Sequence, residues 1–135
     1  FRHAKSKPGK IDNRMKYDEI TLQLKRIYDE PGPNDGFRVL VDRLWPRGVS
    51  KEEAHIDLWL GGIAPSPSLR KWFDHDPTRW NEFLDRYFAE LDENPQAVTE
   101  LFRKATASPV TLLYAAKDVR HNHAVALKMY LEGEE

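Results

Sequence analysis

Two apolar runs that each end in a knot of charge constrain this chain most: Phe37–Leu44 (FRVLVDRL), closed by Trp45-Pro46-Arg47-Gly48, and Val110–Ala116 (VTLLYAA), closed by Lys117-Asp118. Through their middles both carry apolar residues on either face, the pattern of strands covered on both sides. Between them lie three helix starts built alike, a polar cap residue followed by proline: Ser66-Pro67, Asp76-Pro77 and Asn94-Pro95. A strand joined to a later strand of the same sheet through helices runs parallel to it. The expected fold is therefore α/β: one small domain with a short, mostly parallel sheet covered by several helices.

The remaining segments fit around that unit. Ile20–Tyr28 (ITLQLKRIY) alternates roughly as a strand does, and Asp29–Asp35 (DEPGPND) is rich in turn formers. So short a loop holds no crossover helix, so this strand is expected to be antiparallel to the next if the two pair directly. Ser50-Lys51-Glu52-Glu53 has the form of a capping box, and Leu58-Trp59-Leu60 continues an apolar layer. The helix from Pro77 aligns Trp80, Phe83, Leu84, Tyr87, Phe88 and Leu91 as a wide apolar stripe, and that from Pro95 repeats it with Val98, Leu101, Phe102 and Ala105. A final helix is expected over Val119–Leu131, with Gly133 just past its end.

Composition narrows the function. With no cysteine there are no disulfides, thiolate metal sites or cysteine nucleophiles, and a reducing, cytoplasmic setting fits. No apolar run approaches the roughly 18 residues of a membrane span. Residues 1–14 carry five Lys and Arg against one Asp, a balance of +4, which leaves −5 for residues 15–135 of the total −1. An acidic body argues against a nucleic-acid surface, which needs clustered cations. The basic arm 1–14 has no hydrophobic periodicity and reads as a flexible extension, or as a non-native leader ahead of a start at Met15.

Ligands of open α/β sheets bind beyond the carboxyl ends of the parallel strands. Parallel strands here put Asp42–Gly48 (DRLWPRG) and Lys117–His123 (KDVRHNH) at the same edge. A carboxylate closing an apolar strand needs cations or amides around it, and Asp42 has Arg43, Arg47 and Lys117 to hand. Two readings stay open: an internal ion-pair network that fixes the loop, or a pocket whose Arg43, Arg47 and Lys117 face a carboxylate or phosphate. In the second, Asp42 and His123 are the candidates to move a proton, because histidine titrates near neutral pH, and Trp45 and Asn122 join the cations as ligand contacts. Trp45 and Trp59 could stack on a planar ligand, but buried packing is the expected use of both. Asp118, as a helix cap, competes with an anion for the amides after Lys117. His121 and His123 point about 200° apart if both are helical, so no metal site is expected, and no cofactor motif appears.

The stretches KRIYDEPGPNDGFRVLVDRLWPRG, APSPSLRKWFDHDP and TLLYAAKDVRHNHAVAL resemble the YeaO-like branch of the domain-of-unknown-function 488 family, from about Lys25 to Leu131. The resemblance implies an α/β domain of bacterial or archaeal cytoplasmic origin and supplies no activity. It adds weight to Asp42, Arg43, Trp45, Pro46, Arg47, Lys117, Asn122 and His123 and leaves His121 outside. The wider family often has a cysteine-bearing cluster after the last strand; this chain keeps Asp42 and Arg43 but has no cysteine. Two functions compete on these grounds: a small-molecule site for an anion, with or without turnover, and a non-catalytic interaction or regulatory module that binds protein or nucleic acid.

Overall fold

Leu- and Val-rich runs pair into one sheet: β1 (Leu22–Arg26), β2 (Phe37–Leu40), β3 (Leu58–Trp59) and β4 (Val110–Tyr114), in the order β1-β4-β2-β3. Every adjacent pair is parallel. The computed structural model describes residues 20–133, so the basic arm and Met15 lie outside the described residues. Among the described residues five α-helices accompany the sheet: α1 (Lys51–Ala54), α2 (Pro67–Phe73), α3 (Trp80–Asp92), α4 (Pro95–Ala107) and α5 (His123–Leu131).

The sheet separates two layers. Register aligns Leu24, Leu112 and Val39 across one face, onto which α2 to α5 pack Phe73, Phe83, Tyr87, Leu101 and Leu127. The opposite face carries Leu113 and Leu40 under a thinner cover of Ile27, Trp45, Val49 and Ala54. Both faces of β2 and β4 are thus covered, with Arg38 and Thr111 the buried polar residues within these strands.

The antiparallel expectation for β1 and β2 does not hold, because they are not neighbours: β4 lies between them and both run parallel to it. The reason is reach. Residues 27–36 span at most about 33–36 Å when extended, roughly twice the length of a five-residue strand, so they can retrace β1 without a helix. The returning loop is tied down as it goes: Gln23 Nε2 donates to the Asn34 carbonyl, Lys25 Nζ to the Glu30 carbonyl and to Asp35, and Thr111 Oγ1 to the Asp35 carbonyl. Asp35 also receives Arg38, whose other donors go to the Ala54 and His55 carbonyls.

Helix starts follow the cap-proline pattern with two refinements. Ser66 accepts from the Leu69 amide, and Asp76 from the Thr78 amide. Pro77–Arg79 forms one 3₁₀ turn before α3 begins at Trp80. Asn94 makes no side-chain cap; its Nδ2 donates to the Gly62 carbonyl instead. The final helix begins at His123 rather than Val119, because Asp118 closes a separate turn by accepting from the Arg120 and His121 amides, and Asn122 then caps the helix through the Val125 amide.

Candidate functional site

Beyond the carboxyl ends of β2 and β4 the chain leaves a cleft of about 680 Å³. Its lining draws on both strand-end segments, with Asp42, Arg43 and Trp45 from one and Lys117, Asn122 and His123 from the other. These two stretches face each other because β2 and β4 are adjacent and parallel, so their last residues emerge at one edge. A third contribution comes from α2 and the turn after it, which bring Arg70, Phe73 and His75, while α3 adds Phe83.

Asp42 ties the two strand ends together. Its Oδ2 accepts from the Ala115 amide at 3.0 Å, and its Oδ1 lies 3.0 Å from His123 Nε2. The same Nε2 is hydrogen-bonded to the Val41 carbonyl at 3.0 Å. A carbonyl oxygen only accepts, so Nε2 carries the proton. That proton aligns with Val41, which leaves Oδ1 beside the imidazole but without a hydrogen-bond donor among the described residues. The partners of Asp42 are therefore an amide and an imidazole, not Arg43, Arg47 or Lys117.

The cations go elsewhere. Arg43 Nη2 donates to the Ala64 and Pro65 carbonyls, and its Nε is buried without an acceptor among the described residues. Arg47 is exposed and outside the lining, with its carbonyl accepting from the Tyr28 hydroxyl. Lys117 is exposed at the rim. Trp45 borders the cleft while its Nε1 donates to the Val49 carbonyl, so it packs and lines at once. Asn122 is 3% exposed, its amide donating to the Asp118 carbonyl while its oxygen caps α5. Trp59, at the sheet edge, donates to the Asp42 carbonyl and meets Trp45 edge to face.

Asp118 is the second carboxylate of the lining and is more fully engaged, with donors on both oxygens. It accepts from the Arg120 and His121 amides and from His121 Nδ1, and these bonds hold its carboxyl below the ordinary carboxylate range. His121, within the Lys117–His123 segment expected at this edge, lines the cleft with its Nδ1 committed to Asp118. Arg70 and His75 escape a reading centred on strand ends. The signal for His75 is its position just before the Asp76-Pro77 helix start; it and Asp74 both take positive φ there, which turns the chain back toward the cleft mouth. Among the described residues no group of three or more His, Cys, Asp or Glu is arranged to hold a metal ion, and no helix is long and apolar enough to cross a membrane.

The comparisons with known proteins agree with one another. The chain is 42% identical over 112 residues to the uncharacterized protein YeaO of Escherichia coli K12, covering 83% of this chain and 97% of that one. It is 39% identical over 115 residues to the uncharacterized protein Rv3073c of Mycobacterium tuberculosis H37Rv, covering 85% and 97% respectively. No solved structure matches it. A family model described as the inactive DUF488-N3 subclade matches residues 21–135. On a match of that extent, together with the likeness to YeaO, the chain belongs to the YeaO-like branch of the DUF488 family.

Proposed function

We propose that the strand-end cleft binds a small anionic ligand, a carboxylate or phosphate, and releases it unchanged. One observation carries this reading. Both carboxylates of the lining are engaged by protein donors, whereas the side chains of Arg70 and Lys117 have no protein acceptor among the described residues. Arg43, Arg70 and Lys117 outnumber Asp42 and Asp118, so the lining carries a positive balance even with its histidines neutral. An anion entering at Arg70 and Lys117 meets positive charge that no protein acceptor matches among the described residues.

Binding without turnover is supported by the state of Asp42 and His123. The Nε2 proton is directed to the Val41 carbonyl while the imidazole lies against Asp42, an arrangement suited to holding the cleft floor rigid. To pass a proton to a guest, His123 must first leave Val41. The description of the family subclade as inactive points the same way. The cysteine-free composition supports a cytoplasmic setting.

The test is calorimetric titration of the full chain with inorganic phosphate and with acetate at low ionic strength. Arg70→Ala and Lys117→Ala are each expected to weaken the anion that binds by about tenfold, as for the loss of one charge-assisted hydrogen bond. Arg47→Ala is expected to leave it unchanged. Equal binding by all four proteins would overturn the assignment.

A further inference from the structure

The cleft is larger and more apolar than a bare inorganic anion needs. Its volume of about 680 Å³ falls in the range that accommodates a drug-sized molecule. One wall includes Phe73 and Phe83, whose centroids are 4.5 Å apart, and Trp80, outside the lining, stacks on Phe83 at 5.6 Å and 22°. His121 stands edge-on to Trp80 at 5.3 Å, which brings the polar segment after β4 against this wall. Elsewhere on the lining Leu44 is 65% exposed, a large apolar side chain left in water beside a concave surface. An occupant with an apolar body removes that exposure; phosphate does not.

Charge fixes the orientation of such an occupant. Asp42 sits at the floor and repels an acid group, while Arg70 and Lys117 are exposed and attract one. We infer that the guest is an organic acid with a flat aromatic or heteroaromatic body, its acid group on Arg70 and Lys117 and its ring against Phe73, Phe83 and Leu44. This inference rests on the anion-site reading above and adds the chemical class of the ligand's body.

The experiment compares phenylacetate and indole-3-acetate with acetate, inorganic phosphate and the uncharged phenylacetamide by calorimetry on the full chain, at constant pH and ionic strength. Both aryl acids are expected to bind at least about tenfold more tightly than acetate or phosphate. Because Leu44 is exposed, Leu44→Ser keeps the fold and is expected to weaken the aryl acids about threefold while leaving acetate and phosphate unchanged. Acetate or phosphate matching the aryl acids, or aryl acids indifferent to Leu44→Ser, overturns the aromatic body and leaves the anion site standing. Phenylacetamide matching phenylacetate, or no binding by any of the anions, overturns the anion site itself.

Discussion

His123 Nε2 stands 3.0 Å from the Asp42 carboxylate and 3.0 Å from the Val41 carbonyl, joining the first residue of α5 to the end of the central strand. The contact closes the chain across more than eighty residues and is largely shielded from water, with the two side chains about 15% exposed. His123→Ala removes the imidazole that lies against Asp42 Oδ1 and the donor to the Val41 carbonyl. A loss of about 2–3 kcal/mol in unfolding free energy is expected, measured by urea denaturation at pH 7. A loss below about 0.5 kcal/mol would mean that the pair is not structural.

The buried Asp35 carries an acid-sensitive part of the stability. Burial works against its charge, but hydrogen bonds from Lys25, the Gly32 amide and Arg38 outweigh it and hold the carboxyl below its ordinary value. A depressed folded pKa contributes stability that is complete above the unfolded value of about 3.9 and fades as the pH falls through the folded one. Asp35→Asn is expected to cost about 3 kcal/mol at pH 7, because Arg38 is 5% exposed and loses its counter-charge. The difference in stability between wild type and variant is expected to shrink from about pH 4 downward. A difference that is constant from pH 7 to pH 2 would contradict this assignment.

Two glycines with positive φ separate backbone strain from steric clash. Gly36 (φ 68°) packs so closely that an added Cβ would collide with the Pro109 carbonyl oxygen, whereas Gly48 (φ 78°) faces open space. Gly48→Ala is expected to cost about 1 kcal/mol, the price of the left-handed conformation alone. Gly36→Ala is expected to cost at least about 3 kcal/mol, since Phe37 donates to that same Pro109 carbonyl and the start of β2 must move. Equal losses in thermal or urea unfolding would contradict the distinction.

Much of this architecture is legible in the sequence because the signals are local. The largely apolar runs at Phe37 and Val110 specify strands buried on both faces, and Ser66-Pro67 and Asp76-Pro77 specify where chain direction changes. From these alone DRLWPRG and KDVRHNH fall at one edge. The position of β4 between β1 and β2 is not local: it depends on loop 27–36 folding back along β1, held by Asp35 and Thr111, which are far apart in sequence. The site divides in the same way. Asp42 and His123 are legible as residues at strand and helix ends, but Arg70 and His75 reach the cleft only through the packing of α2, and Arg47 turns away because the chain after Pro46 follows the opposite face of the sheet to Tyr28. Asn122 stands out as a polar residue at the right place, yet its two hydrogen bonds make it the cap of α5.

An anion held by Arg70 and Lys117 in the strand-end cleft is visible in a ¹⁵N-¹H NMR titration of the full chain with phenylacetate, run on wild type and on the Arg70→Ala, Lys117→Ala double variant. Shifts that saturate and cluster on Leu44, Ala115, Ala116, Lys117 and His121 in the wild type, and vanish in the double variant, are the expected result. Shifts scattered over the surface, or unchanged by the loss of both cations, would contradict it.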